Sequence, residues 1–207
     1  MQEVSHHLFG DWESFYVIVG SSAAALTGLQ FVVITLVKDI WRQPSTGEIG
    51  AFSTPTIFHF CAALLVSATL SAPWPGLPGP RLLIGACGLV GITYAAFVAW
   101  RATRKTRYTM VLEDWVWHVV LPIVAYIAMV VGAFILIGAF TLALFAIAGS
   151  ALLLLYIGIH NAWDTTTYVA SGRAAAEASQ RNEPTGPVSA PSPSAPSPSD
   201  SERPPDA

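Results

Sequence analysis

Residues 115–163 run for 49 positions without one Asp, Glu, Lys or Arg. As a single α-helix this stretch would be ~74 Å long, at about 1.5 Å per residue. That is more than twice the ~30 Å hydrocarbon thickness of a bilayer. The stretch therefore has to fold back, and Gly138-Ala139-Phe140-Thr141, near its middle, is the natural place for a tight reversal. It is too uniformly apolar for an amphipathic helix lying on a membrane surface. Spans at 116–138 and 140–160 are expected. Further apolar runs at 15–37, 51–72 and 82–100 each approach the ~20 residues that a crossing helix needs. The expected fold is an all-α integral membrane bundle of five transmembrane helices within residues 1–170.

Charge narrows the function classes. Only 11% of residues are charged, against about 25% in soluble domains. Residues 1–170 hold 7 Lys/Arg and 8 Asp/Glu, a net of −1; residues 171–207 hold 3 and 5, adding −2, which gives the total of −3. There is no Lys/Arg stripe for nucleic acid, and two Cys do not make a disulfide scaffold. The sequence holds no phosphate-binding Gly loop, no G-x-S-x-G and no Ser/His/Asp arrangement with recognisable context. The largest soluble loop, 101–114, is too small to be a catalytic domain. The chain is expected not to be an enzyme.

Lys/Arg are enriched in cytoplasmic loops. With five spans and the N-terminus outside, nine of the ten Lys/Arg fall inside: Lys38, Arg42, Arg101, Arg104, Lys105, Arg107, Arg173, Arg181 and Arg203. Only Arg81 falls outside. Merging the last two spans would change the split to six against four. Near the membrane the first and third loops dominate the count. The seven Trp agree with the boundaries, since the indole favours headgroup level. Trp12 and Trp74 fall at outer ends; Trp41, Trp100, Trp115, Trp117 and Trp163 fall at inner ones. A cleaved signal peptide fits poorly, because Glu3, Asp11 and Glu13 stand where a basic region is required and the apolar run is too long.

Four prolines within Pro73-Trp74-Pro75-Gly76-Leu77-Pro78-Gly79-Pro80 end the second span. Pro55 is expected in that span's first turn, where a missing N–H costs nothing. Residues 171–207 carry 8 Pro and 8 Ser and almost no large apolar side chain. Such a segment cannot offset its ordering entropy, so a disordered cytoplasmic tail is expected. It is an inert extension, a phosphorylation substrate or a tether for a cytosolic partner.

Helices associate in lipid through small residues that allow close approach. Gly20, Ala24 and Gly28 recur every four residues in the first span, and Cys87, Gly91, Ala95 and Ala99 in the third. Each stripe is expected on one packed face, within the bundle or between copies of the chain. Cys61 and Cys87 are expected as small apolar fillers.

Polar groups inside spans are costly and mark bundle interiors or cavities. Gln30 and His59 fall roughly 10–12 Å from the inner ends of their spans. His118 stands near the inner start of the fourth span, and His160, Asn161 and Asp164 at the inner end of the fifth. The outer halves hold no His, Asn, Gln or acid within a span. A cytosol-facing polar pocket of Gln30, His59, His118, His160, Asn161 and Asp164 is expected. Each residue also has a packing role open to it: interhelix hydrogen bonds for Gln30 and His59, interface positions for His118 and His160, a helix-end anchor for Asp164. Pro122 removes the N–H that the His118 carbonyl would accept, so a kink is expected there. No metal or other cofactor is expected. A metal or haem site has only weak support, since no two His share a helix at i, i+4 and no HExxH or CxxC occurs. His6-His7 would be at best a weak metal site.

Ala24-Ala25-Leu26-Thr27-Gly28-Leu29-Gln30-Phe31-Val32 resembles the first span of small uncharacterised bacterial multi-span membrane proteins, which read small-small-Leu-Thr-Gly-Leu-x-Phe-Val. Ile159-His160-Asn161-Ala162-Trp163-Asp164 resembles a feature recurrent in the same chains. The resemblance covers about 20 residues and implies a bacterial inner-membrane protein; it transfers no catalytic residue. The expected partners are the bilayer and a membrane protein or a second copy. The expected role is that of a non-enzymatic accessory, assembly or regulatory subunit. The alternatives are a small channel or transporter component and an intramembrane metal- or haem-binding protein.

Overall fold

A computed structural model of the chain describes residues 2–40, 46–105 and 115–182, with side chains at 10–35, 54–101, 115–167 and 170–171. These residues form five long helices: α1 (Gln2–Ile40), α2 (Thr46–Ser71), α3 (Pro78–Lys105), α4 (Leu121–Ile135) and α5 (Phe140–Asn182). A π-helical turn, Val116–Val120, leads into α4. Every helix contains a segment long and apolar enough to cross a bilayer: Gly10–Thr35, Thr54–Ser71, Pro78–Arg101, Val116–Ile135 (with its π turn) and Phe140–Thr167. No strand occurs among the described residues. The described residues form a five-helix, multi-pass bundle whose surroundings are lipid.

The helices alternate in direction. At one end, called lower here, α1 and α3 finish and α2 and α4 begin. At the upper end lie the α2–α3 loop and the α4–α5 reversal. That reversal occupies Leu136 to Ala139, where the N–H groups of Gly138 and Ala139 both bond the carbonyl of Ile135. The uncharged 49-residue run thus does fold back where its length requires.

Helix ends differ from the expected boundaries for local reasons. α3 begins at Pro78, not at residue 82, because the first N–H groups of a helix have no intrahelical partner and Pro78 and Pro80 lose nothing there. α2 begins at Thr46, which leaves Pro55 inside the helix and not in its first turn. The Trp74 Nε1–H donates to the carbonyl of Thr69 at 2.7 Å, closing the upper end of α2. Its ring lies where a side chain at Gly79 would have to be. α5 runs on through Asn182, into the stretch composition assigns to the tail. Arg173-Ala174-Ala175-Ala176-Glu177-Ala178 explains this, since alanine is the strongest helix former. Residues 183–207 lie outside the described residues, as do Trp41 and the side chains of His6 and His7.

The core is built on α2, α4 and α5. Phe60, Val66, Tyr126, Met129, Leu144, Ile147, Leu154 and Ile157 are fully buried. The outward faces carry large apolar side chains, among them Leu82, Phe134 and Trp163, each about 70% exposed at 73%, 71% and 69%. On a soluble protein such a surface would drive aggregation; in a bilayer it is matched to its solvent. Arg81 sits over the Phe134 ring, 5.8 Å from its centroid, joining α3 to α4 at the upper end.

Candidate functional site

Several contacts fix how the helices are aligned. Trp12 of α1 meets Phe145 of α5 edge-on at 4.8 Å. A Cβ on Gly20 of α1 would lie 2.9 Å from Ser67 Cβ of α2. Gly158 of α5 lies against the Phe60 ring of α2. Gly91 of α3 lies against the Tyr126 ring of α4, and Gly132 of α4 faces Ile147 of α5. Glycine is required at these places because nothing larger leaves room for the neighbour. Propagated at 1.5 Å per residue, the alignment puts Gln30, Thr56 and Asn161 on one level in the lower half of the bundle. His59 lies about one helical turn above them.

His59, 2% exposed, faces α4. Its Nδ1 is 2.9 Å from Tyr126 Oη, the one proton between them carried by either atom according to the ring tautomer. Phe58 stacks on Tyr94 of α3 at 4.1 Å and meets Tyr126 edge-on, so α2, α3 and α4 share one aromatic cluster. His118 lies on the π turn, within electrostatic reach of His59. The Leu121 N–H bonds the carbonyl of Val116, five residues back. A wide turn therefore stands at the position of the expected kink, and Pro122 enters α4 at its first positions, where its missing N–H is tolerated.

At the lower end His160 stacks on Trp117, ring centroids 3.8 Å apart and planes within 8°. Its Nδ1 is 3.1 Å from Asp164 Oδ2, close enough for an ion pair but at an angle too poor for a hydrogen bond. Asp164 is thus a mid-helix partner of His160, near the end of the apolar segment Phe140–Thr167, while α5 itself continues beyond it. Asn161, 2% exposed, has neither side-chain atom hydrogen-bonded among the described residues, and Gln30 Nε2 is likewise unpartnered. By contrast Thr27, Thr69, Thr93, Ser150 and Thr165 return their hydroxyls to carbonyls four residues back in their own helices.

The six polar residues do not converge on one point. His59 bonds Tyr126, His160 meets Asp164 beside the π turn that carries His118, and Gln30 and Asn161 are buried with side-chain atoms unbonded among the described residues. No three His, Cys, Asp or Glu side chains are grouped to hold a metal among the described residues. The small-residue stripes split as well. Gly20 is packed on Ser67, but Ala24 and Gly28 are exposed, with nothing within 4 Å of a Cβ at Gly28. Four residues at about 100° each overshoot a full turn by about 40°, so Gly28 has rotated about 80° away from α2. On α3, Gly91 and Ala95 are buried and Cys87 and Ala99 half-buried. Cys61 points outward and does not fill the core.

Tyr126, Trp117 and Thr56 belong to the site although sequence pattern did not single them out for it. Tyr126 carries the one polar side chain in α4, and that is the signal that marks it. Comparison with protein-family models, curated proteins and solved structures finds no match for this chain.

Proposed function

We propose that this protein is a non-enzymatic accessory, assembly or regulatory subunit of a bacterial inner membrane, acting through helix–helix contacts with a membrane partner or a second copy. Its N-terminus lies outside and its lower end faces the cytoplasm, as the Lys/Arg distribution supports. The observation that carries the reading is the outward turn of Ala24 and Gly28 on α1, where a second helix has room for close approach. The use of His59 and His160 in contacts between elements supports it further: one joins α2 to α4, the other α5 to the π turn. The resemblance of the first span to small bacterial membrane proteins supports the location.

The test is co-purification from native expression levels, with Gly28→Leu as the variant. A single partner, or a second copy, that is lost on Gly28→Leu while the bundle keeps its stability is the expected result. Retention of every partner by that variant overturns the role of α1. A small channel or transporter component is the second reading, favoured by the unpartnered amides of Gln30 and Asn161 in the lower half. Ion flux in liposomes that disappears with His59→Ala would select it.

A further inference from the structure

Thr56, Phe60 and Ser67 stand at i, i+4 and i+11 on α2 and so share one face. Ser67 touches α1 at Gly20 and Phe60 touches α5 at Gly158, so this face points into the seam where α1 and α5 meet. Trp12 and Phe145 close the same seam at its upper end. Gln30 is 18 residues beyond Trp12 and Asn161 is 16 beyond Phe145, which puts them within ~3 Å of the same level on two parallel helices. Counted from Gly20–Ser67 and from Phe60–Gly158, both fall opposite residues 56–57 of α2. Gln30, Thr56 and Asn161 are all buried, at 4%, 0% and 2% exposure.

Three polar atoms at this level have no hydrogen-bond partner among the described residues: Gln30 Nε2, Asn161 Nδ2 and Asn161 Oδ1. Leaving such groups unbonded in an apolar interior costs several kcal/mol each in hydrocarbon. Gln30 thus offers a donor, and Asn161 a donor and an acceptor, at one level of the bundle. Neither residue is charged, and an ion buried there without a countercharge would bear a large desolvation cost. The chemistry fits a neutral occupant that both donates and accepts. A buried water does both, and typically makes about three hydrogen bonds.

We propose that Gln30 and Asn161, over Thr56, form an internal hydration site in the α1–α2–α5 seam, where bound water bridges the two side-chain amides. Phe60, packed on Gly158, closes the site above. The unpartnered hydroxyls of Ser67 and Tyr16 lie beyond that ring and are not part of it. The site needs no partner, and so stands or falls apart from the role in assembly proposed above.

The test uses the full chain in lipid nanodiscs with ¹⁵N-labelled side-chain amides. Cross-relaxation from water to the NH2 protons of both Gln30 and Asn161 is expected, and Gln30→Met should weaken the signal at Asn161. Cross-peaks between the two amides without a water signal would show a direct, dry contact and overturn the proposal. Stability gives an independent reading. The double variant Gln30→Met/Asn161→Leu should melt no lower than the worse single variant, because it removes both halves of the site. Melting losses that simply add would overturn the bridge.

Discussion

Gly91 and Gly28 carry the same residue in opposite settings. A Cβ at Gly91 would overlap the ring of Tyr126, which also holds the hydroxyl bonded to His59. Gly91→Val should therefore cost about 1–3 kcal/mol by overpacking, read as a lower melting temperature in detergent micelles. Gly28→Val meets no neighbour among the described residues and should leave that temperature unchanged. Tyr126→Phe removes only an oxygen and leaves His59 Nδ1 unpartnered. A loss of about 0.6–1.7 kcal/mol is expected, the range of interhelix hydrogen bonds in membranes, and a His59→Leu background should remove most of it. At this scale the sequence was half legible. That Gln30 and His59 are buried in the bundle followed from their place inside apolar runs. The partner of His59 did not, because the rotation of α4 about its axis depends on another helix, where Gly88 packs on Val130 and Gly91 on Tyr126. The stripe of Gly20, Ala24 and Gly28 misled for a simpler reason: a spacing of four drifts around a helix whose turn is 3.6 residues.

The π turn before α4 belongs to the scale of elements. Pro122 withholds an N–H from the carbonyl of His118, and the backbone widens over Val116–Val120. The extra residue in this turn sets the direction in which Trp117 leaves the backbone, and so its stack on His160. Pro122→Ala restores the missing donor. The turn should then relax toward α-helix and carry Trp117 around by about 100° per residue of register. The ring-current shift of the His160 protons in NMR spectra is expected to collapse in this variant, while α5 stays helical. Survival of that shift would mean that Pro122 does not set the turn. The sequence signalled a disturbance at Pro122 but not the wide turn that accompanies it. Helix lengths were hidden likewise. Hydropathy marks only what lipid covers, whereas Arg173 to Ala178 extend α5 through alanine propensity.

For the whole molecule the number of crossings was the most legible property, because a 49-residue uncharged run admits no other solution in a bilayer of fixed thickness. Orientation rests on loop charge alone. With the lower end in the cytoplasm, protease added to intact right-side-out cells should leave the Pro/Ser-rich C-terminal region whole, and opening the membrane should expose it. A C-terminal epitope tag makes the outcome readable on a blot. Trimming in intact cells would reverse the topology and turn the amides of Gln30 and Asn161 toward the exterior half.

The reversal at Leu136 to Ala139 bears on how the protein is made. It offers no basic residue to hold either neighbour on one side of the membrane, and too little chain for α4 to settle before α5 emerges. The two helices have to enter the bilayer as one preformed hairpin, steered only by what flanks the pair. Lysines placed in that turn would supply a retention signal of their own and strand the hairpin half inserted.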